Sequence, residues 1–273
     1  MRYIPAIRVI VSHVKILSIF AKTIMIILTS MKKARIIFSA MVMLFVSLNA
    51  YCQEYVAMEY EGLKYRQLSS CVDDSTKSAL IIYLHGRSGS GSDNKAQLAN
   101  VAVKNIKKYI KKNNVSAYFL IPQCPIEYEW SPRADMPGCI EKVSSLITHF
   151  ISTHNIDTTR IYVCGTSMGA VGCWEIIKSN QGLFAAALIA SGVSPRTQPD
   201  GFLNIPIYAT CGSEERSCEF LTWLTSEINK GGGNAKLDVL QGLRHRDACD
   251  SAFTLKRIQW LFSQALNKQI QID

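Results

Sequence analysis

Residues 1 to 52 contain no acidic side chain, the first being Glu54, so the seven bases of that stretch (Arg2, Arg8, Lys15, Lys22, Lys32, Lys33, Arg35) stand unopposed. They supply most of the formal charge of +9; of the 30 bases in the chain, the rest number only two more than the 21 acids. So small a surplus leaves no electrostatic footprint for nucleic acid, and no nucleic-acid partner is expected. Closely spaced cysteines are missing too. Eight follow Gln53, yet no two sit at the two-to-four-residue spacing of a zinc knuckle, so a metal is not expected. Internal repeats, low-complexity tracts and any stretch long enough for an inserted lid or propeller domain are also lacking. Gly231-Gly232-Gly233 follows a predicted helix, where it ends an element; a phosphate-binding loop would begin one.

The basic leader has its own logic. From Met31, Lys32, Lys33 and Arg35 form a positive n-region, Ile36 to Ala50 an apolar h-region, and Ala50 and Cys52 small residues before Gln53. This is the pattern of a secretory signal peptide cleaved near Cys52/Gln53, with residues 1 to 30 upstream of the true start at Met31. Export to the periplasm or beyond is therefore expected, and a cysteine load that suits an oxidising compartment agrees with it. The alternative is an uncleaved anchor over Val9 to Leu28, which His13, Lys15 and Lys22 interrupt. A lipid attached at Cys52 is disfavoured by the preceding Asn49-Ala50-Tyr51. Residues 53–273 then form one globular domain, with no stable membrane insertion.

Within that domain, short apolar runs alternate with helical periodicity, which predicts an α/β fold with a mostly parallel sheet covered on both faces. Expected strands are Tyr55 to Tyr60 and Leu63 to Leu68 (a hairpin at Glu61-Gly62), Ala79 to Leu84, Tyr118 to Pro122, Arg160 to Cys164, Ala185 to Ala190, Ile207 to Thr210 and Lys236 to Leu240. Expected helices are Asn94 to Lys112, Gly138 to His154, Met168 to Ser179, Phe220 to Lys230 and Ser251 to Leu266.

Gly165-Thr166-Ser167-Met168-Gly169 matches G-x-S-x-G between a predicted strand and a predicted helix, the context in which that pattern presents a nucleophilic serine. Glycine is needed because a strand turning directly into a helix leaves no room for side chains beside the central residue. The turn sets the Ser167 oxygen at a helix N-terminus, where developing negative charge is favoured. Backbone amides of Met168 and Arg87 are the candidate oxyanion donors, Arg87 lying in the loop His85-Gly86-Arg87-Ser88-Gly89 after a strand. His85 precedes the nucleophile at a strand end and suits a structural hydrogen bond. With the order nucleophile, acid, base, His245 is the one histidine after Ser167 and hence the candidate base, placed in a polar loop. The acid falls in Cys211-Gly212-Ser213-Glu214-Glu215-Arg216: Glu215, with Glu214 as the alternative.

These stretches resemble the secreted bacterial esterases of the α/β-hydrolase superfamily, in the branch related to phospholipase/carboxylesterases and dienelactone hydrolases. His85-Gly86 through Gly91-Ser92-Asp93-Asn94 is similar to that group's oxyanion loop. Pro122-Gln123-Cys124-Pro125 with Trp130 resembles its substrate-side segment, and Asp157 to Tyr162 leading into Gly165–Gly169 and Trp174 is the most specific match. The chain departs from the pattern at Glu215, where Asp is usual, and at Arg87-Ser88-Gly89, where Ala-Gly-Glu is common. The resemblance implies an α/β-hydrolase catalytic domain without a large lid, acyl transfer to Ser167, and no cofactor. By analogy the substrates are acetyl or feruloyl esters of plant polysaccharides, with Trp130 and Ser88 at the substrate. Because acid and base loops must meet in space, Cys218 is expected to pair with Cys249, and Cys124 with Cys139 across the Trp130 segment. Two other readings stand beside this one: a prolyl-oligopeptidase-like serine peptidase, and a carbohydrate-binding protein with an inactive site.

Overall fold

A computed structural model describes residues 55–73 and 75–266; the leader, the Met31 start and the cleavage signal lie outside them. The described residues build one eight-stranded sheet: β1 (Val56–Tyr60), β2 (Leu63–Ser70), β3 (Ser78–Leu84), β4 (Ala117–Pro122), β5 (Ile156–Thr166), β6 (Ala186–Ala190), β7 (Ile207–Gly212) and β8 (Ala235–Leu240). Their order across the sheet is β1-β2-β4-β3-β5-β6-β7-β8. Only β1 and β2 run antiparallel to their neighbours; from β4 through β8 every pairing is parallel.

Central strands are apolar on both faces because both faces are covered. Every residue of β3 and β6 is buried. One face packs α2 (Ile140–Thr153), α3 (Met168–Ser179) and α4 (Ser217–Lys230) over residues such as Leu80, Ile82, Val163 and Ile189. The opposite face packs α1 (Val101–Lys112), the end of α5 (His245–Ala252) and α6 (Leu255–Phe262) over Ile81, Tyr83, Tyr162 and Leu188. This is the α/β architecture expected, and among the described residues no helix is long and apolar enough to cross a membrane.

Capping accounts for the main boundary differences. The helix expected from Asn94 begins at Val101, because Asn100 takes an extended conformation and its side chain accepts the Ala102 N–H at 2.7 Å. Ala96–Ala99 forms a separate 3-10 turn. The single last helix expected over Ser251 to Leu266 is two, broken at Phe253 and restarted where Thr254 accepts from Arg257 N–H. His245 consequently opens a helix instead of lying in a loop. Of the three glycines after α4, only Gly232 takes a positive φ, at 89°.

The junction between β5 and α3 is the tightest part of the fold. A Cβ added at Gly169 would lie 1.9 Å from the Leu84 carbonyl oxygen, and one at Gly165 would lie 2.5 Å from the Gly169 carbonyl oxygen. Helix α3 thus rests with its backbone on the end of β3, a contact no side chain permits. Gly169→Ala is expected to destabilise the fold by about 3 kcal/mol, the upper range for overpacking, as measured by urea denaturation. An unchanged denaturation midpoint would contradict this packing.

Candidate active site

Parallel strands end on one edge of a sheet, and here the ends of β3, β5, β6, β7 and β8 bring five loops together. Ser167 follows β5 with φ 56° and ψ −117°, a conformation costly for a side-chain-bearing residue. Its N–H donates to Ala190 O at the end of β6 (2.9 Å), which holds the turn in place.

Ser167 Oγ lies 2.8 Å from His245 Nε2, and His245 Nδ1 lies 2.7 Å from Glu215 Oε2. The carboxylate is 3% exposed and the imidazole 54%, so the acid is buried beneath a ring that reaches solvent. Burial works against the Glu215 charge, but hydrogen bonds from His245, from Gly212 N–H (2.7 Å) and from Ser191 Oγ (2.7 Å) outweigh it and hold the carboxyl below its ordinary pKa. Hydrogen bonding to Glu215 in turn raises His245 above 6.5, against the opposing effect of its own burial. Glu214 points away: half exposed, it pairs with Arg244 at 3.2 Å.

Met168 is the first residue of α3, where an N–H has no partner within its own helix. The Arg87 loop is adjacent, since a Cβ on Gly86 would lie 3.3 Å from Ser167 Cβ. Arg87 starts a 3-10 turn, and its guanidinium donates to Glu129 and to Tyr128 O (3.1 Å), tying the loop to the segment after β4. A polar latch braces the loop from behind. Gln123 accepts from Asn94 N–H (2.6 Å) and donates to Gly89 O (3.1 Å) and Asp93 (2.8 Å). The Gln123 hydrogen bond is the foremost cause that lowers Asp93 to about 2.

His85 is structural in this geometry. Its Nδ1 lies 2.7 Å from Gly86 O, its Nε2 accepts from Cys124 N–H at 3.0 Å, and burial lowers its pKa to about 4. Two clefts meet at Ser167 and His245, one of about 710 Å³ bordered by Arg87 and Arg216, the other of about 600 Å³ bordered by Ser88 and Asn100. Ser88 therefore faces a cleft. Trp130 does not: it is fully buried, donates its indole N–H to His85 O (2.9 Å) and packs edge-on to His85, so the substrate platform expected of it is replaced by a core role.

The cysteine pairings differ from expectation. Cys218 is joined to Cys211, across the acid loop with Cα atoms 5.5 Å apart, and not to Cys249. The reason is local: Cys211 lies at the buried end of β7 and Cys218 in the first turn of α4, so the turn between them brings the two sulfurs together. Cys249 is a free, buried thiol beside Ser191 and the Ser167 backbone, raised by burial to about 11. Cys124 and Cys139 do meet, but their sulfurs are 3.3 Å apart and unbonded, the separation of a thiol contact and not of a disulfide. Among the described residues no group of three or more His, Cys, Asp or Glu is placed to hold a metal ion. Ser191 and Glu129 were missed in the sequence, since nothing distinguishes a serine after a strand or a glutamate in a loop until the fold buries them.

No protein-family model and no curated protein matches the chain. Solved structures do. A thermostable esterase superposes with a TM-score of 0.67 at 24% identity, over 77% of this chain, and this chain spans 63% of that esterase's length. S-formylglutathione hydrolase (FrmB) from Staphylococcus aureus gives 0.58 at 11% identity, covering 77% of this chain and 98% of that one. Est1E from Butyrivibrio proteoclasticus, solved with ferulic acid bound, gives 0.50 at 11% identity, covering 76% and 96%. At these identities the likeness establishes the fold, which is the α/β-hydrolase fold.

A pH profile tests the geometry. Only neutral imidazole accepts a proton from Ser167, so turnover falls as pH drops through the His245 pKa, and a raised pKa moves that fall above pH 6.5. In Glu215→Gln the acid limb should shift down and kcat fall roughly 10⁴-fold, as when a triad acid is neutralised elsewhere. Glu214→Gln should stay within about twofold, because an exposed ion pair contributes little. A larger loss in Glu214→Gln than in Glu215→Gln would contradict the arrangement.

Proposed function

We propose that the protein is an exported serine hydrolase that cleaves carboxylic esters, with residues 53–273 as its mature catalytic domain. The observation that carries this reading is the continuous run of contacts from Ser167 Oγ through His245 to a buried Glu215, at the meeting point of two clefts.

Ser167 Oγ attacks the ester carbonyl as its proton passes to His245 Nε2. Glu215 holds the Nδ1–H tautomer and offsets the imidazolium charge that forms. In this reading the negative charge moving onto the carbonyl oxygen is received by the N–H groups of Met168 and Arg87; the position of Met168 at a helix start and the tie of the Arg87 loop through its guanidinium support that assignment. Loss of one such donor costs about 3 kcal/mol of barrier. The alcohol departs with the proton from His245, and water, activated by the same ring, releases the acid and restores Ser167. Every proton is accounted for by Ser167, His245, water and the two products.

The leader with its Ala50 and Cys52 cleavage signal supports export, and the Cys211–Cys218 staple suits an oxidising compartment. Acetyl or feruloyl esters of plant polysaccharides are the proposed substrates; that Est1E was solved with ferulic acid bound supports the aryl member of that pair.

A fluorophosphonate probe should label the protein once, at Ser167, and Ser167→Ala should abolish both labelling and aryl-ester hydrolysis. Labelling that survives the substitution would overturn the proposal. In the same preparation, peptide mapping without reductant should link Cys211 to Cys218, and removing that link should cost about 2 kcal/mol of stability for a loop this short. Finding Cys218 linked to Cys249 would contradict it.

A further inference from the structure

We propose that the ester taken by this site belongs to a carboxylate-bearing chain, whose charged groups lie along an arginine-lined trough running away from Ser167. The inference rests on the serine-hydrolase reading and names a substrate class for that same site.

Four guanidinium groups border the 710 Å³ cleft: Arg87, Arg133, Arg216 and Arg244. Three are already matched, Arg87 and Arg133 by the buried Glu129, and Arg244 by Glu214. Glu215 is committed to His245, Ser191 and Gly212 N–H. Arg216 adjoins Glu215 in the chain, yet among the described residues no carboxylate lies within ion-pair distance of it. A guanidinium that lines the cleft of the reacting serine without an ion-pair partner is a seat for a bidentate oxyanion, and a carboxylate fits its fork.

The cleft does not end there. A second one, of about 470 Å³, shares Ser131, Pro132, Arg133, Val171 and Ser194 with the first, so the two form one trough. Lys178 and Arg196 border the second cleft and not the first, again with no ion-pair partner among the described residues. Its acids are Asp135, which pairs with Arg133, and Glu175, which accepts from the Ser131 hydroxyl at 3.4 Å. The joined clefts thus hold three unmatched cations, Arg216 in the part that contains Ser167 and Lys178 and Arg196 in the part that does not, against one carboxylate outside an ion pair. A neutral ester leaves Arg216, Lys178 and Arg196 with nothing but water. An oligomer carrying a carboxylate on each unit can pair with each of them, and it is these individual contacts, not the net charge of six bases against five acids, that would select it.

The test compares acetate release from acetylated oligogalacturonide, which carries a carboxylate on each sugar, with that from neutral acetylated xylo-oligosaccharide. The expected kcat/KM favours the anionic chain by about tenfold or more, the preference shrinks as salt is raised, and Arg216→Gln brings the ratio towards one. Binding is read separately with Ser167→Ala, by calorimetry with unacetylated oligogalacturonide and with xylo-oligosaccharide; only the former should bind, and Arg216→Gln in that background should weaken it. Equal turnover of the two esters, or equal binding of the two oligomers, would overturn the inference while leaving the esterase reading intact. No acetate release from either ester and no aryl-ester hydrolysis, together with binding of the oligogalacturonide, would instead defeat the esterase reading and keep the anionic trough.

Discussion

Ser167 is held in a backbone conformation that a free chain would abandon, at an expected cost on the order of 1–3 kcal/mol, and the surrounding structure is arranged so that it has no alternative. Its N–H is fixed by Ala190 O, and Gly165 and Gly169 admit backbone approaches that any Cβ would forbid. Below it, Tyr83 Oη and Thr166 Oγ1 meet at 2.9 Å inside the core, tying β3 to the end of β5. Strain at one residue is thereby distributed over three strands and a helix, and what it secures is a hydroxyl raised clear of the sheet edge at the start of α3.

The remaining site residues depend on that edge. His245 arrives at the start of α5 and Glu215 in the turn between β7 and α4, so the three side chains come from three different loops. A carboxylate 3% exposed is expensive to keep ionised, and the expense is met by three donors: an imidazole, a backbone amide and the hydroxyl of Ser191. Ser191 itself sits at φ 57°, a second unusual conformation bordering the first cleft, and its N–H is held by Thr210 O. Disposition of the acid therefore relies on a neighbouring strand end as much as on its own loop.

Much of this was legible in the amino-acid order because the relevant signals are local. Alternating apolar runs and helical periods mark every strand and most helices, and the five-residue pattern around Ser167 carries its own steric reason. His245 follows by elimination, since no other histidine lies beyond the nucleophile. What was not legible depends on direction. Two adjacent glutamates differ only in which way a turn faces, and that turn is set by Gly212 and the Cys211–Cys218 staple. The resemblance likewise put Trp130 beside the substrate when its indole faces inward to His85, and the meeting of acid and base loops paired Cys218 with Cys249 when a partner lay within its own loop. Helix ends at Asn100 and Thr254 were missed for a related reason: an N-cap competes with a helical period that runs through it.

The arrangement of Glu215, His245 and Ser167 is tested most directly by proton NMR of the His245 ring. An imidazole Nδ1 proton held between nitrogen and a buried carboxylate should resonate well downfield of the amide region. It should persist in Ser167→Ala, where the acid and base are untouched, and vanish in Glu215→Gln. A resonance that survives Glu215→Gln but disappears in Glu214→Gln would contradict the account, because the imidazole would then be held by the neighbouring carboxylate.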